Sequence, residues 1–232
     1  MADENETQLT TEKVAYWYFR LNGYLQIENF IVHPDKGKGG QRTDADLIGV
    51  RFPHRKERLL DEPENVMKDD FEALELIDDW TDIVIVEVKA NAECKLNGPW
   101  TNKDAQNVQR VLAAIGYFDP DRLEEVATTI YDTGLFADEG LKLRVRLVAI
   151  AATESTNLKQ SHPEVTQLTW PAVVRFIGCR LYTYRSAKRD SPQWEETILV
   201  MKELVEKNTE GQGFKLDGFV ADCLQCLGIK EN

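Results

Sequence analysis

"DIVIVEVKAN", residues 82–91, ends an apolar run with two charges. Ile83, Val84, Ile85, Val86 and Val88 are β-branched and nearly unbroken, which predicts a buried strand over 82–90. Strand side chains alternate, so Glu87 and Lys89 point to one face while Val86 and Val88 point to the other. Charges at the end of a core strand cost free energy unless they are paired or bind something. Two explanations stand at this point: a solvated salt bridge at a strand end, or a site.

Working outward, "TTEKVAYWYFRLN" (10–22) predicts a helix capped by Thr10 or Thr11, with an aromatic face at helical spacing and Gly23 at its end. "YLQIENFIV" (24–32) and "DADLIGVRF" (44–52) predict strands. They are separated by the glycine-rich loop "HPDKGKGGQRT" (33–43). A short helix is expected over 69–79, before the strand at 82–90. "NKDAQNVQRVLAAIGYF" (102–118) carries Val108, Val111, Leu112 and Ile115 on one helical side, and a further helix is expected over 120–133. "KLRVRLVAIAA" (142–152) alternates and then turns fully apolar, as a strand entering a sheet does. From 169 onward only helices are expected: from Trp170-Pro171 to about 183, then near 193–208 and 217–227. The order is helix, three strands, helices, strand, helical tail, which is an α/β class.

Alternation also puts Asp44, Asp46, Ile48 and Val50 on one face of the strand at 44–52. If that face meets Glu87 and Lys89, carboxylates from two strands converge. Hard divalent cations such as Mg²⁺ take oxygen ligands, often one or two carboxylates with water and substrate phosphate. A neighbouring lysine neutralises charge or helps orient and deprotonate an attacking water. Asp46, Glu87 and Lys89 therefore suit metal-assisted phosphodiester hydrolysis. Asp46 stands directly before the apolar run. Asp44 reads as a solvated strand start, and Asp82, of opposite parity to Glu87, as a strand boundary.

Asp46 before "LIGV", followed by "IVEVK" on the next long strand, resembles the PD-(D/E)XK nuclease superfamily, the restriction-endonuclease-like fold. The resemblance covers roughly residues 10–152. It implies a core of helix, three strands, helix and strand, with a mixed central sheet flanked by helices. Residues 1–155 would form this nuclease-like core, and 156–232 a helical extension packed on it within a single domain. It further implies that Asp46 and Glu87 bind Mg²⁺, with Mn²⁺ able to substitute. Lys89 would serve the attacking water, and Glu12 of the first helix would complete the site. The activity implied is a metal-dependent deoxyribonuclease, on DNA rather than RNA, in defence, repair or mobile-element biology. Ala45 stands where the named proline-aspartate pair would begin. Gln106 is followed four residues later by Arg110, not by the tyrosine of the RecB-type branch. The alternative from another class is a non-catalytic or partner-recruited nucleic-acid-binding or regulatory module that keeps the fold.

The net charge of −12 argues against coating nucleic acid by general charge attraction. Local basic clusters remain at 51–58 and 184–189. Arg51, Arg55 and Lys56 are candidates for phosphate contacts or a solvated charge run. Gln106 and Gln109 are candidates for DNA contact or exposed helix residues. Trp100, past the E-x-K strand, reads as a core plug more readily than as a base-stacking ring. His33 reads as a loop residue. Cys223 and Cys226 form a C-x-x-C in an apolar stretch and read as helix thiols, since a zinc site needs two more ligands. With no apolar run of membrane-span length and an acidic, polar start, a cytoplasmic location is expected. A protein partner and a homodimer stay open, without a dimer signal in the sequence.

Overall fold

The computed structural model describes residues 9–33, 43–59, 62–189 and 194–230. The elements run α1 (Thr11–Leu21), β1 (Leu25–Val32), β2 (Thr43–Arg51), β3 (Glu57–Leu59), β4 (Glu62–Met67), β5 (Thr81–Val88), α2 (Gly98–Thr101), α3 (Asn107–Ile115), α4 (Leu123–Thr133), β6 (Leu135–Asp138), β7 (Leu143–Ala151), α5 (Thr156–Ser161), β8 (Thr166–Thr169), α6 (Trp170–Thr183), α7 (Glu196–Lys207), β9 (Thr209–Glu210), β10 (Gly213–Phe214) and α8 (Leu216–Cys226). No helix among the described residues is long and apolar enough to cross a membrane.

The central sheet has the order β1-β2-β5-β7-β6, with β8 also pairing β7. β1, β2 and β5 pair antiparallel in succession. β5 and β7 are parallel, as are β7 and β8, while β6 is antiparallel to β7. The sheet is therefore mixed and helix-flanked. Helices cover both faces of β5 and β7, so nearly every residue of these strands is buried. That is why they read as apolar runs rather than as clean alternation. On one face Val84, Val86 and Val88 pack with Trp17 and Tyr18 of α1, Val174 and Ile177 of α6, Met201 of α7 and Phe219 of α8. On the other, Ile83 and Ile85 pack with Trp100, Val108 and Leu112 of α3, and Ile130 of α4. The first core joins residues from both sides of position 155.

α1 forms as its sequence dictates. The Thr10 side chain accepts the Lys13 N–H at 3.3 Å, and the chain leaves the helix through Gly23 at φ +84°. A side chain at Gly23 would strike Arg55, so two constraints demand glycine there.

Several expectations differ from what forms. The helix expected over 69–79 is a series of turns. Glu75 and Asp79 have positive φ, and the guanidinium groups of Arg144 and Arg146 take the Leu74 and Glu75 carbonyls. The charged segment after Pro53 contains the hairpin β3–β4. The helix expected over 102–118 starts only at Asn107, because Gln106 is left-handed at φ +53°. Strands β6 and β8 and helix α5 went unpredicted, as did the small β9–β10 hairpin among the helices after 169. The segment after 155 thus adds β8 to the sheet between α5 and α6. Apart from its two ends, the glycine-rich loop expected over 33–43 lies outside the described residues.

Candidate functional site

The ladder between β2 and β5 runs from Arg51↔Asp82 to Leu47↔Val86 and stops there. The next residues outward are Asp46 and Glu87. The backbone N–H of Lys89 turns to the β7 side and donates to the Ile150 carbonyl at 2.8 Å. The N–H of Val88 therefore faces β2. Its acceptor is not a backbone carbonyl but Oδ2 of Asp46, at 2.7 Å. The carboxylate stands in for the ladder where the two strands part.

The strand itself changes at this point. Leu47 belongs to the first core, yet Ala45 is buried in the second with Ile48, three positions away. Strict alternation would put Ala45 and Ile48 on opposite faces. The break falls at Asp46, which sits opposite Asn29 in the β1 register, and Asn29 has φ +50°. The expectation that Asp44 and Asp46 share a face by simple alternation does not carry across this irregularity.

Glu87 is 3% exposed. Its Oε2 accepts the indole N–H of Trp100 at 2.9 Å, and its Oε1 is ion-paired with Lys89. Burial raises the Glu87 carboxyl above its ordinary value, and the charge of Asp46 adds to the rise. The Lys89 ammonium and the Trp100 N–H oppose it. Asp46 is raised for the same leading reason, burial. The Val88 N–H and Lys89 oppose that rise, while Asp44 and Glu12 add to it. Asp46 and Glu87 are thus brought together, with Lys89 acting on both carboxylates. Lys89, half-buried and just past the end of β5, is steadied by Trp170, whose indole N–H donates to the Lys89 carbonyl at 2.9 Å.

Glu12 is exposed, and its carboxylate accepts the Thr11 hydroxyl at 3.1 Å. It makes no hydrogen bond to Asp46, Glu87 or Lys89, and its charge adds only to the rise of the Asp46 carboxyl. Trp100, 1% exposed on α2, is a core residue as expected, and its indole N–H adds a contact the sequence did not announce.

The candidate phosphate contacts are redistributed. Arg51 is buried, with its guanidinium on Asp69 at 3.0 Å and on the Asn22 carbonyl at 3.2 Å. Arg55 pairs with the same Asp69 and with Glu57. Both are committed to holding β2 and the β3–β4 hairpin together, and neither Arg51 nor Arg55 is presented to a ligand. Lys56 is exposed. Gln106 is exposed and precedes α3. Gln109 is half-buried, with Oε1 lacking a hydrogen-bond partner among the described residues. Neither glutamine is placed against Asp46 or Glu87 by a hydrogen bond.

Sequence reading missed the polar centre at the other end of β5. Asp82, whose parity predicts a strand boundary, is buried and bonded to Arg144 at 2.8 Å, to Arg146 at 2.9 Å and to the Tyr24 hydroxyl. The signal was available: arginines at 144 and 146 alternate within a buried strand, and such cations need a buried anion.

Two carboxylates beside a cation are oxygen donors of the kind a hard divalent ion takes. Among the described residues no group of three or more His, Cys, Asp or Glu is arranged to hold a metal. Comparison with protein-family models, with curated proteins and with solved structures found no match to this chain.

Proposed function

We propose that this protein is a metal-dependent phosphodiesterase of the PD-(D/E)XK nuclease type, acting on DNA. The observation that carries the reading is the parting of β2 and β5 at Asp46 and Glu87, with Lys89 ion-paired to Glu87. The order of α1, β1, β2, β5, α3–α4 and β7, with β5 parallel to β7, supports it as the core order of that superfamily. Asp46 and Glu87 would hold Mg²⁺ or Mn²⁺, and a bound ion supplies charge to the phosphate and lowers the pKa of an attacking water. Lys89 balances the carboxylates and presents an ammonium that can hold or release a proton at Nζ. Trp100 and Trp170 fix the Glu87 carboxylate and the Lys89 backbone, so little reorganisation is needed when substrate arrives. Glu12 contributes negative potential from the start of α1.

A second reading has its own support. Both oxygens of Glu87 already accept bonds, from Lys89 and Trp100. That arrangement also suits a chain that keeps the fold for binding or regulation without cleavage. The test incubates plasmid, linear duplex, single-stranded DNA and RNA with the purified protein, with and without Mg²⁺ or Mn²⁺. Cation-dependent cleavage that Glu87→Gln abolishes supports the nuclease. Binding without cleavage in either cation favours the second reading.

A further inference from the structure

Arg51 and Arg55, after β2, are spent on Asp69 and Glu57 within the fold, but the cations of a second basic region are not. The end of α6, the turn that follows it and α7 enclose a cleft of about 540 Å³. Arg185, Lys188, Arg189 and Lys202 line it, with Glu206 as the carboxylate of the wall. On a chain with 28 basic against 40 acidic residues, this density of cations runs against the overall balance.

The partners of these cations are mostly neutral. Arg185 donates to the Tyr182 carbonyl at 2.8 Å, and its guanidinium lies 4.1 Å from the Tyr182 ring centroid. Lys202 donates to the carbonyls of Lys188 at 3.0 Å and Arg189 at 3.3 Å. These bonds give the turn its shape without cancelling charge. Lys188 is paired with Glu57 at 2.6 Å, which ties the cleft to the β3–β4 hairpin. Arg185 and Arg189 are exposed. A pre-shaped cleft with exposed guanidinium groups is suited to phosphate oxygens.

α6 connects this cleft to the candidate site. Trp170, its first residue, bonds the Lys89 carbonyl, and Arg185 lies just beyond its last turn. At about 1.5 Å rise per residue the helix places Arg185 roughly 20 Å along its axis from Trp170, the residue that holds the Lys89 backbone. That is about six base-pair steps of duplex. A mononucleotide is too short to engage both places, whereas a polymer can.

We propose that the cleft walled by Arg185, Arg189 and Lys202 holds the phosphodiester backbone of the nucleic acid that reaches the Asp46–Glu87 pair. This deepens the nuclease reading and rests on it. The cleft explains how an acidic protein engages a polyanion: through one localised contact rather than a general field.

The test uses the full chain carrying Glu87→Gln, and reads binding of a labelled DNA duplex by fluorescence anisotropy across a salt series. Arg185→Gln with Arg189→Gln should weaken binding about tenfold or more near 0.1 M salt, and flatten the log–log salt slope by about two. Arg175→Gln, on α6 but paired with Asp217 outside this cleft, should change binding far less. Unchanged affinity and slope in the double variant overturn the proposal, and so does an equal loss in the Arg175 variant. Tighter binding of a phosphorylated peptide or of anionic vesicles than of duplex overturns the nucleic-acid assignment. Cleavage is scored separately with the wild-type active centre. A wild type that binds through the cleft but never cleaves sinks the nuclease reading and leaves the cleft standing. A wild type that cleaves, with binding indifferent to Arg185 and Arg189, does the reverse.

Discussion

The Asp46 carboxylate accepts the Val88 backbone N–H at 2.7 Å, one position beyond the last paired residues of β2 and β5. One side chain therefore closes the end of a ladder and faces Glu87 and Lys89. Structure and proposed chemistry meet in the same atoms, and substitutions can pull them apart.

Asp46→Asn keeps an acceptor for Val88 and removes the charge. It should fold like wild type while losing most of its Mn²⁺ affinity, measured by calorimetric titration. Asp46→Ala leaves the Val88 N–H without this acceptor and should cost about 1–3 kcal/mol in urea unfolding. Equal midpoints for the alanine and wild-type proteins would show that the bond does not stabilise the strand end.

Lys89→Ala removes a half-buried cation from beyond the strand, not packing from the core. The fold should persist. Cation-dependent cleavage should fall by a factor on the order of 10²–10⁴. The measurement is single-turnover cleavage of labelled duplex and single strand at equal folded concentration. Unaltered rates would place any cleavage outside this site.

Asp82 supplies a pH prediction far from the proposed chemistry. Burial pushes its carboxyl up, but Arg146 and Arg144 outweigh burial and hold it down to about 2. Its folded pKa lies below its unfolded value near 3.9. The stabilisation is therefore fully present above the unfolded pKa and is lost as pH falls through the folded one. The window is about pH 4 to pH 2, and the contribution is on the order of 2 kcal/mol. Urea unfolding at pH 5 and pH 3 should show wild type losing part of this. Asp82→Asn, already weakened at pH 5, should show less loss over the same interval. A parallel decline in both proteins would remove Asp82 as the source.

Gly178 tests whether the C-terminal helices share the core. A Cβ there would lie 2.5 Å from the Phe219 ring of α8, and Phe219 is fully buried. The ring has no room to swing away, so Gly178→Ala should destabilise by about 1–3 kcal/mol despite its better helix propensity. If α6 and α8 belong to one cooperative unit with the sheet, the whole unfolding transition moves, seen alike by far-UV circular dichroism and tryptophan fluorescence. Two separated transitions would instead mark an independent extension.

Much of the element order is legible in the residues. Thr10 and Gly23 bracket α1, "IVIVEV" is β5, and Trp170-Pro171 opens α6, because capping, β-branching and proline placement act over a few residues. Glu87 and Lys89 on one face follow from the period of a strand. The misses share a cause. Residues 69–79 carry a helix-like pattern, but Arg144 and Arg146, some 70 residues away, take the Leu74 and Glu75 carbonyls. Arg51 and Arg55 look like surface cations until Asp69 is folded against them.

By itself the sequence determined which segments become helix or strand where local preference is strong. It also placed Glu87 and Lys89 at the end of one buried strand and Asp46 directly before the apolar run of another. Only the tertiary structure decided which charges remain available. Arg51, Arg55, Arg144 and Arg146 are held by buried carboxylates, whereas Arg185 and Lys202 rest on neutral acceptors beside an open cleft. The physical reason is desolvation. A charge brought into the fold must be paired, and its partner is set by which distant strands and helices pack together, a relation that no local pattern of residues contains.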